Sequence, residues 1–398
     1  MFLSTNNMPL TIQDISAINQ TKHKSASSSH NPQTTTKGGN PTPSPAQSDM
    51  LGCITYDSST RSIMISCSSA SLTDINNKLH DSNVLAKQAI DSASWLLNAN
   101  LIIDKGSKFH INSTDTKWLK IISSSSAGMG SHNNRRGATS GSSNVNSIHV
   151  FGSLNIDSVK ITSWNPLTNT YVTLTTSNAT IPRPYLRIEP GATGTTNIVN
   201  SEIAYLGFDT SFAGLGAGGL NYYAGDGSIL RGNNIHNLWY GPYLSGVGNM
   251  IIEKNQSHHN LNYGFDPHTG SHDIIIRNNL AHDNGQEGII CSVNCSNILF
   301  DNNRTYHNEK SGIMLSRNTY NSIVRNNFIY NEINGIHISQ SHNNQVYNNT
   351  ISNSVNGIDA TPGSSNNNVH NNVIMNSKIA MLTDKSSPGN TFSSNKIK

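Results

Sequence analysis

The chain is poor in charge, in long apolar runs and in cysteine. Only 12% of its 398 residues are charged, and the formal net charge is +3. So small and scattered an excess excludes a nucleic-acid footprint but permits an anionic ligand. No run of 18 apolar residues occurs, so no membrane span is expected. Met1-Phe2-Leu3 is followed by polar residues, without the apolar core of a secretory signal. Export would therefore rest on a signal removed or replaced, or on another route. Four cysteines are present. Cys53 and Cys67 flank an expected hairpin, where a disulfide suited to an oxidising compartment and a pair of buried thiols are equal readings. Cys291 and Cys295 lack a second pair at metal spacing, so they are no zinc signature.

What fills the chain instead is Asn, Ser, Thr and Gly. Residues 1–50, with Thr34-Thr35-Thr36 and Pro41-Thr42-Pro43-Ser44-Pro45, read as a disordered linker, because they cannot bury enough apolar surface to offset ordering entropy. Residues 51–94 read as an N-terminal cap. Leu51 to Tyr56 and Ser62 to Cys67 form a hairpin, and Ser71-Leu72-Thr73-Asp74 opens a short helix with a capping box. From Trp95 to the end, short β-runs follow one another, such as Leu101-Ile102-Ile103 and Trp118-Leu119-Lys120-Ile121-Ile122. A polar Gly/Ser/Asn loop over 123–147 carries Arg135 and Arg136, read as a surface loop with polyanion contact as the minor alternative.

The strongest signal is a repeat. Gly241, Gly264, Gly288, Gly312, Gly335 and Gly357 recur every 22–24 residues, in phase with Asn233, Asn255, Asn278, Asn302, Asn326, Asn348, Asn371 and Asn395. Short strands with Asn/Gly corners at this period predict an all-β fold, a right-handed parallel β-helix with a helical N-terminal cap. The Asn markers are read as corner ladders. Residues one and three after each Gly are apolar and should face inward. Residues two and four after it, Asp266 and His268 among them, should face solvent. Those two would lie about 7 Å apart on one strand, with Tyr243 one rung away at about 4.8 Å. Tyr263 has the wrong alternation and joins them only if the chain bends at Gly264.

Tyr263-Gly264-Phe265-Asp266-Pro267-His268 resembles the catalytic signature of the mannuronan C5-epimerases. Ser201-Glu202-Ile203-Ala204-Tyr205-Leu206-Gly207, Ser311-Gly312-Ile313-Met314-Leu315-Ser316-Arg317 and Trp95-Leu96-Leu97-Asn98-Ala99 resemble the periplasmic AlgG-type branch, so the likeness covers roughly residues 70–395. It implies an isomerase that converts β-D-mannuronate to α-L-guluronate within a polymer, by removing the C5 proton and returning one from the other face. It places the base at His268, an orienting or carboxyl-binding group at Asp266 and a proton donor at Tyr263, with water as the alternative donor. One departure stands out. The arginine that this branch carries in the next rung falls at Val293 or Asn294 here. Lys310 and Arg317, two rungs along and about 10 Å from His268, and Arg231 on the other side are the replacement cations, or else plain surface side chains. Tyr243 is the remaining substrate contact expected. A polyuronate lyase and a non-catalytic carbohydrate-binding β-helix are the competing readings.

No cofactor is required by this chemistry. Calcium is allowed, but no Gly-Gly-x-Gly-x-Asp repeat supports it, and no metal site is expected. The expected partner is an anionic polysaccharide, the expected state a monomer, and the expected location periplasmic, extracellular or at the cell surface.

Overall fold

The computed structural model describes residues 52–88, 93–123, 145–210 and 216–398. The expected linker and loop residues Arg135 and Arg136 lie outside them. Three long sheets run the length of the solenoid, two of 13 strands and one of 11, and each coil contributes one strand to each. Beyond the N-terminal hairpins the strands of the three sheets pair parallel, with neighbouring strands one coil apart. This is the right-handed parallel β-helix that the repeat predicts. Sheet I runs from Ile54–Asp57 to Ile379–Thr383 and includes Tyr240–Ser245, Asp266–His268 and Ile289–Ser292. Sheet II, the 11-stranded one, includes Ile229–Arg231, and sheet III includes Gln256–His258.

The N-terminal end forms as its local chemistry directs. Ile54–Asp57 and Ser62–Ile65 pair antiparallel, and Cys53 and Cys67 are disulfide-bonded across them. Ser62–Ile65 then pairs parallel with Asn100–Ile103, so the hairpin already belongs to sheet I. The helix Leu72–Leu79 starts at Ser71 with both halves of the capping box made and buries Leu72 and Ile75. It covers apolar core that an open coil would expose.

Inward positions are filled as the alternation requires. Phe265, Ile289, Ile313, Ile336 and Ile358 are completely buried, as are Cys291, Leu315 and Ile338. The repeat glycines are steric necessities. A Cβ on Gly241 would stand 1.9 Å from the carbonyl oxygen of Gly264, and one on Gly264 would stand 2.3 Å from that of Gly288. Each glycine thus lets the next coil close at β-sheet spacing.

The Asn markers divide into two kinds, one on a buried ladder and one at the corners, where Asn302 Nδ2 donates to Asn278 Oδ1 at 2.7 Å. Asn233, Asn255 and Asn395 do sit on a ladder, but it runs on through Asn279, Asn303, Asn327, Asn349 and Asn372. Asn278, Asn302, Asn326, Asn348 and Asn371 each precede a ladder residue, with φ between 54° and 56°. Asn tolerates this left-handed corner better than most residues. The corner turns the following Asn inward, where its Oδ1 accepts from the previous coil's backbone N–H and Nδ2, as Asn279 does from Asn255. A periodicity cannot separate two adjacent asparagines that repeat together.

A second ladder, Asn260–Asn284–Asn308, ends on a carboxylate. Glu332 accepts from the backbone N–H of Asn308 at 2.9 Å and from its Nδ2 at 2.8 Å. Burial raises its pKa to about 8, against these hydrogen bonds. The stability of its protonated form is fully present below the ordinary glutamate range and is lost as pH rises through about 8. Glu332→Asn restores the ladder chemistry of the other coils. Thermal melts should show the variant gaining on the wild type as pH rises from 5 to 9, by roughly 2–4 °C for each kcal/mol recovered. A gap that stays constant with pH would contradict this account.

Candidate active site

The outer face of sheet I carries a cavity of about 440 Å³ over the coil Tyr263–His268. Its floor is Tyr243, Asp266 and His268, in register as the parallel pairing sets them: Tyr243 opposite Asp266 and Ser245 opposite His268. One wall is an aromatic column. Tyr240 stacks on Tyr263 at 5.5 Å with an 18° interplanar angle, and Trp239 packs beside Tyr240. Tyr263 therefore does join the site, at the edge of the strand beside Gly264. The other wall comes from the excursion between Ala204 and Gly219, which contributes Asp209, Thr210, Gly216 and Gly218. A Cβ on Gly218 would come within 2.8 Å of the Tyr240 ring, so glycine lets wall and ring close together.

Asp266 faces outward as expected, yet it does not reach solvent. It is 1% exposed, at the bottom of the cavity, and its Oδ1 has no hydrogen-bond partner. Burial raises its pKa well above the usual carboxylate range. The nearby carboxyl of Glu287 pushes the same way and Arg317 opposes. An uncharged Asp266 is a hydrogen-bond donor aimed into the cavity. Ser292 and Ser316 are likewise buried, because neighbouring side chains roof the same face.

His268 is held by three groups, none of them Asp266. Its Nδ1 lies 2.5 Å from Thr269 Oγ1 and 3.4 Å from the Tyr243 hydroxyl, and its Nε2 lies 3.2 Å from Arg317 Nη2. Arg317 can only donate, which assigns the lone pair to Nε2 and the proton to Nδ1. Burial, and then the Arg317 charge, lower the imidazole pKa to about 4. The ring is therefore neutral at physiological pH, further from its ordinary value than the sequence suggests. The tyrosines stay protonated. Burial, with the Asp266 charge second, pushes Tyr243 up to about 12 and raises Tyr263 as well.

The expected cations separate cleanly. Arg317 is in direct contact with His268 rather than about 10 Å away. It sits in a left-handed corner, φ 48°, from which the side chain runs back across the intervening coil, and its Nε donates to Ser292 Oγ at 2.8 Å. Val293 and Asn294 form the equivalent corner of that coil, with φ of 64° and 61°. The guanidinium in contact with His268 thus comes from one coil further on. Lys310 does not line the cavity; its Nζ donates to Gln286 at 2.8 Å on the exposed surface. Arg231 lies on sheet II, paired with Glu253 at 2.5 Å beside Arg277, and is not part of the site. Cys291 and Cys295 are paired in the structure, bracing the corner that carries Val293.

Sequence reasoning missed Asp209, Asn221, Tyr223, Trp239, Tyr240 and Glu287. Tyr240 and Glu287 occupy the position just before a repeat glycine, as Tyr263 does, so the repeat held a signal for both. Asp209 lies in a non-repeating excursion and left none.

The fold and cavity define the class: a right-handed parallel β-helix with an aromatic, mostly polar cleft on one outer sheet. Within that class the chain belongs to the family described as periplasmic copper-binding protein (NosD), whose model matches residues 197–398. No curated protein sequence matches the chain. Among solved structures it is similar to the periplasmic alginate epimerase AlgG, at 19% identity and a TM-score of 0.66, covering 85% of each chain. A double mutant of AlgG aligns at 21% identity and a TM-score of 0.65, over 84% of this chain and 85% of that one. The A-module of the Azotobacter vinelandii mannuronan C-5 epimerase AlgE4 aligns at 15% identity and a TM-score of 0.49, over 77% of this chain and 86% of that one. At these identities the likeness is one of fold. As for the metal in the family's description, no group of three or more His, Cys, Asp or Glu side chains among the described residues is placed to hold an ion. No chemistry is therefore derived through copper.

The electrostatic picture is directly measurable. In an NMR titration the His268 ring, assigned by loss of its signal in His268→Asn, should stay neutral to about pH 4. Arg317→Met should move the midpoint upward, because a repelling positive charge is removed. An unchanged midpoint in that variant would show that Arg317 does not set the charge state of the His268 ring.

Proposed function

We propose that the cavity is the active site of a polysaccharide C5-epimerase acting on a mannuronate-type polyuronate. The observation that carries this reading is a convergence. A neutral imidazole whose Nε2 accepts from a guanidinium 3.2 Å away shares one open cleft with a buried carboxyl whose Oδ1 has no partner.

The chemistry needs three things. The C5 proton of a uronate is weakly acidic only when charge building on the adjacent carboxylate is stabilised. Arg317 offers a full positive charge there, and protonated Asp266 offers a hydrogen bond. A base must stand beside C5, and His268 Nε2 takes that role once a substrate carboxylate draws the Arg317 guanidinium away from it. A proton must return from the opposite face. Tyr263, protonated and stacked on the aromatic wall, is the group we assign to that step, with water as its alternative. The low basicity of His268 fits this scheme. A substrate carboxylate that pairs with Arg317 cancels the charge that depresses the imidazole, so the base strengthens when substrate is in place. The open face of a solenoid accepts a chain rather than a small molecule. The family's description and the periplasmic location named for AlgG support a periplasmic or extracellular setting, and we expect a monomer. Among the described residues no helix is long and apolar enough to cross a membrane.

One observation favours a second reading. The Tyr243 hydroxyl stands 3.4 Å from the base on the same floor, an arrangement that serves β-elimination, in which a proton leaves C5 and a neighbouring donor protonates the departing C4 oxygen. Incubation of polymannuronate in D₂O separates the two. Epimerisation puts deuterium at C5 without new chain ends, whereas elimination produces unsaturated, ultraviolet-absorbing ends. His268→Ala should lower the rate by roughly 10²–10⁴-fold, and Arg317→Met by roughly 10²–10³-fold, with polymer binding retained in the first. Wild-type turnover in His268→Ala would remove His268 as the base, and polymer binding without turnover by the wild type would leave only a carbohydrate-binding role.

A further inference from the structure

Arg183 is 1% exposed, and its hydrogen bonds go to main-chain carbonyls. Nε donates to Gly207 at 2.7 Å and Nη1 to Val172 at 3.0 Å. Nη2 donates to Leu206 at 2.8 Å and to Asn237 at 3.0 Å. No carboxylate answers its charge among these contacts. Burying a guanidinium this way costs far more than it returns in fold stability alone, since an apolar residue would fill the volume. What the group does supply is geometry. A planar fork of donors ties the segment at Val172 to Leu206–Gly207 and Asn237, which continue two paired strands and are already joined by the Trp239 N–H donating to the Leu206 carbonyl at 3.3 Å.

Those segments lead into the cavity. Gly207 opens the excursion that provides Asp209, Thr210, Gly216 and Gly218. Asn237 stands two residues before Trp239 and three before Tyr240, and all six belong to the cavity's walls. Val172 belongs to a second excursion, between Trp164 and Leu186, on which the first one rests. Its Ala179 carbonyl accepts from Asp209 N–H, and its Leu174 and Tyr185 pack on Phe208 and Ala217. The Pro184 carbonyl, next to Arg183, takes the Gly207 N–H at 2.7 Å. Both walls of the cleft are thus anchored at one buried cation outside it.

We propose that Arg183 is a positioning residue, holding the excursion wall and the Trp239–Tyr240 wall at the separation a sugar chain requires. The claim about the walls stands without the reaction assigned above; its consequence for turnover rests on that reading. Arg183→Lys keeps the charge but cannot reach four carbonyls, and Arg183→Met removes every donor while keeping an apolar stem.

The test uses the full chain labelled with 5-fluorotryptophan and observed by ¹⁹F NMR, the Trp239 line being assigned by Trp239→Phe. In both variants the Trp239 resonance should shift and broaden, while that of Trp95, buried in the N-terminal coils, stays in place. On a polyuronate that the wild type turns over, KM should rise about tenfold with kcat changed less than threefold. The midpoint of the pH profile set by His268 should not move. An unmoved Trp239 line in a folded variant would overturn the proposal, as would equal changes at Trp95. Failure of both variants to fold would also overturn it, making Arg183 a requirement of the whole solenoid. A shifted Trp239 line with no polyuronate turned over even by wild type would leave the wall assignment standing and remove the epimerase reading instead.

Discussion

Everything in this molecule hangs on coils that close on one another in register. Backbone hydrogen bonds set the spacing, and two devices protect it. Glycines at one edge of sheet I leave out Cβ atoms that would collide with the next coil, and buried asparagines satisfy the corner groups that a β-turn would leave unpaired. A one-residue slip would turn the apolar set outward and break both ladders at once. This is why a chain with so little charge and a modest apolar content still specifies one structure.

The site is a consequence of that register. Stacking brings residues 25 and 49 positions away, Tyr243 and Arg317, onto a single imidazole. The excursion between Ala204 and Gly219, resting on the one between Trp164 and Leu186, then raises a wall opposite the Tyr240–Tyr263 stack. Walls matter electrostatically as well as sterically. They take Asp266 and His268 out of water, and burial is the first cause of both shifted acidities. A carboxyl that stays protonated and an imidazole that stays neutral, beside an obligate cation, make a surface polarised toward an incoming carboxylate. The bare strand, without its walls, would present an ordinary aspartate and an ordinary histidine.

Much of this is legible in the chain itself, and for stated reasons. The capping box at Ser71, the hairpin at Cys53–Cys67 and the inward alternation after each glycine are local or periodic signals, and local or periodic physics produces them. The misreadings share one cause. Lys310 and Arg231 look equivalent to Arg317 because all three are basic and near in coil count. Which of them reaches His268 depends on a left-handed corner at Arg317 and on which of three sheets each residue occupies. Asn278 and Asn279 repeat with the same period, and only backbone φ distinguishes corner from ladder.

The amino-acid order alone decided the solenoid, its coil length, its N-terminal cover and the strand that bears Asp266 and His268, since each follows from spacing and side-chain type along the chain. Tertiary structure decided which cation meets the imidazole, the charge state of both groups and the role of Arg183. Those depend on distances between coils and on exclusion of water, and neither quantity exists until the coils are stacked and the excursions folded over them.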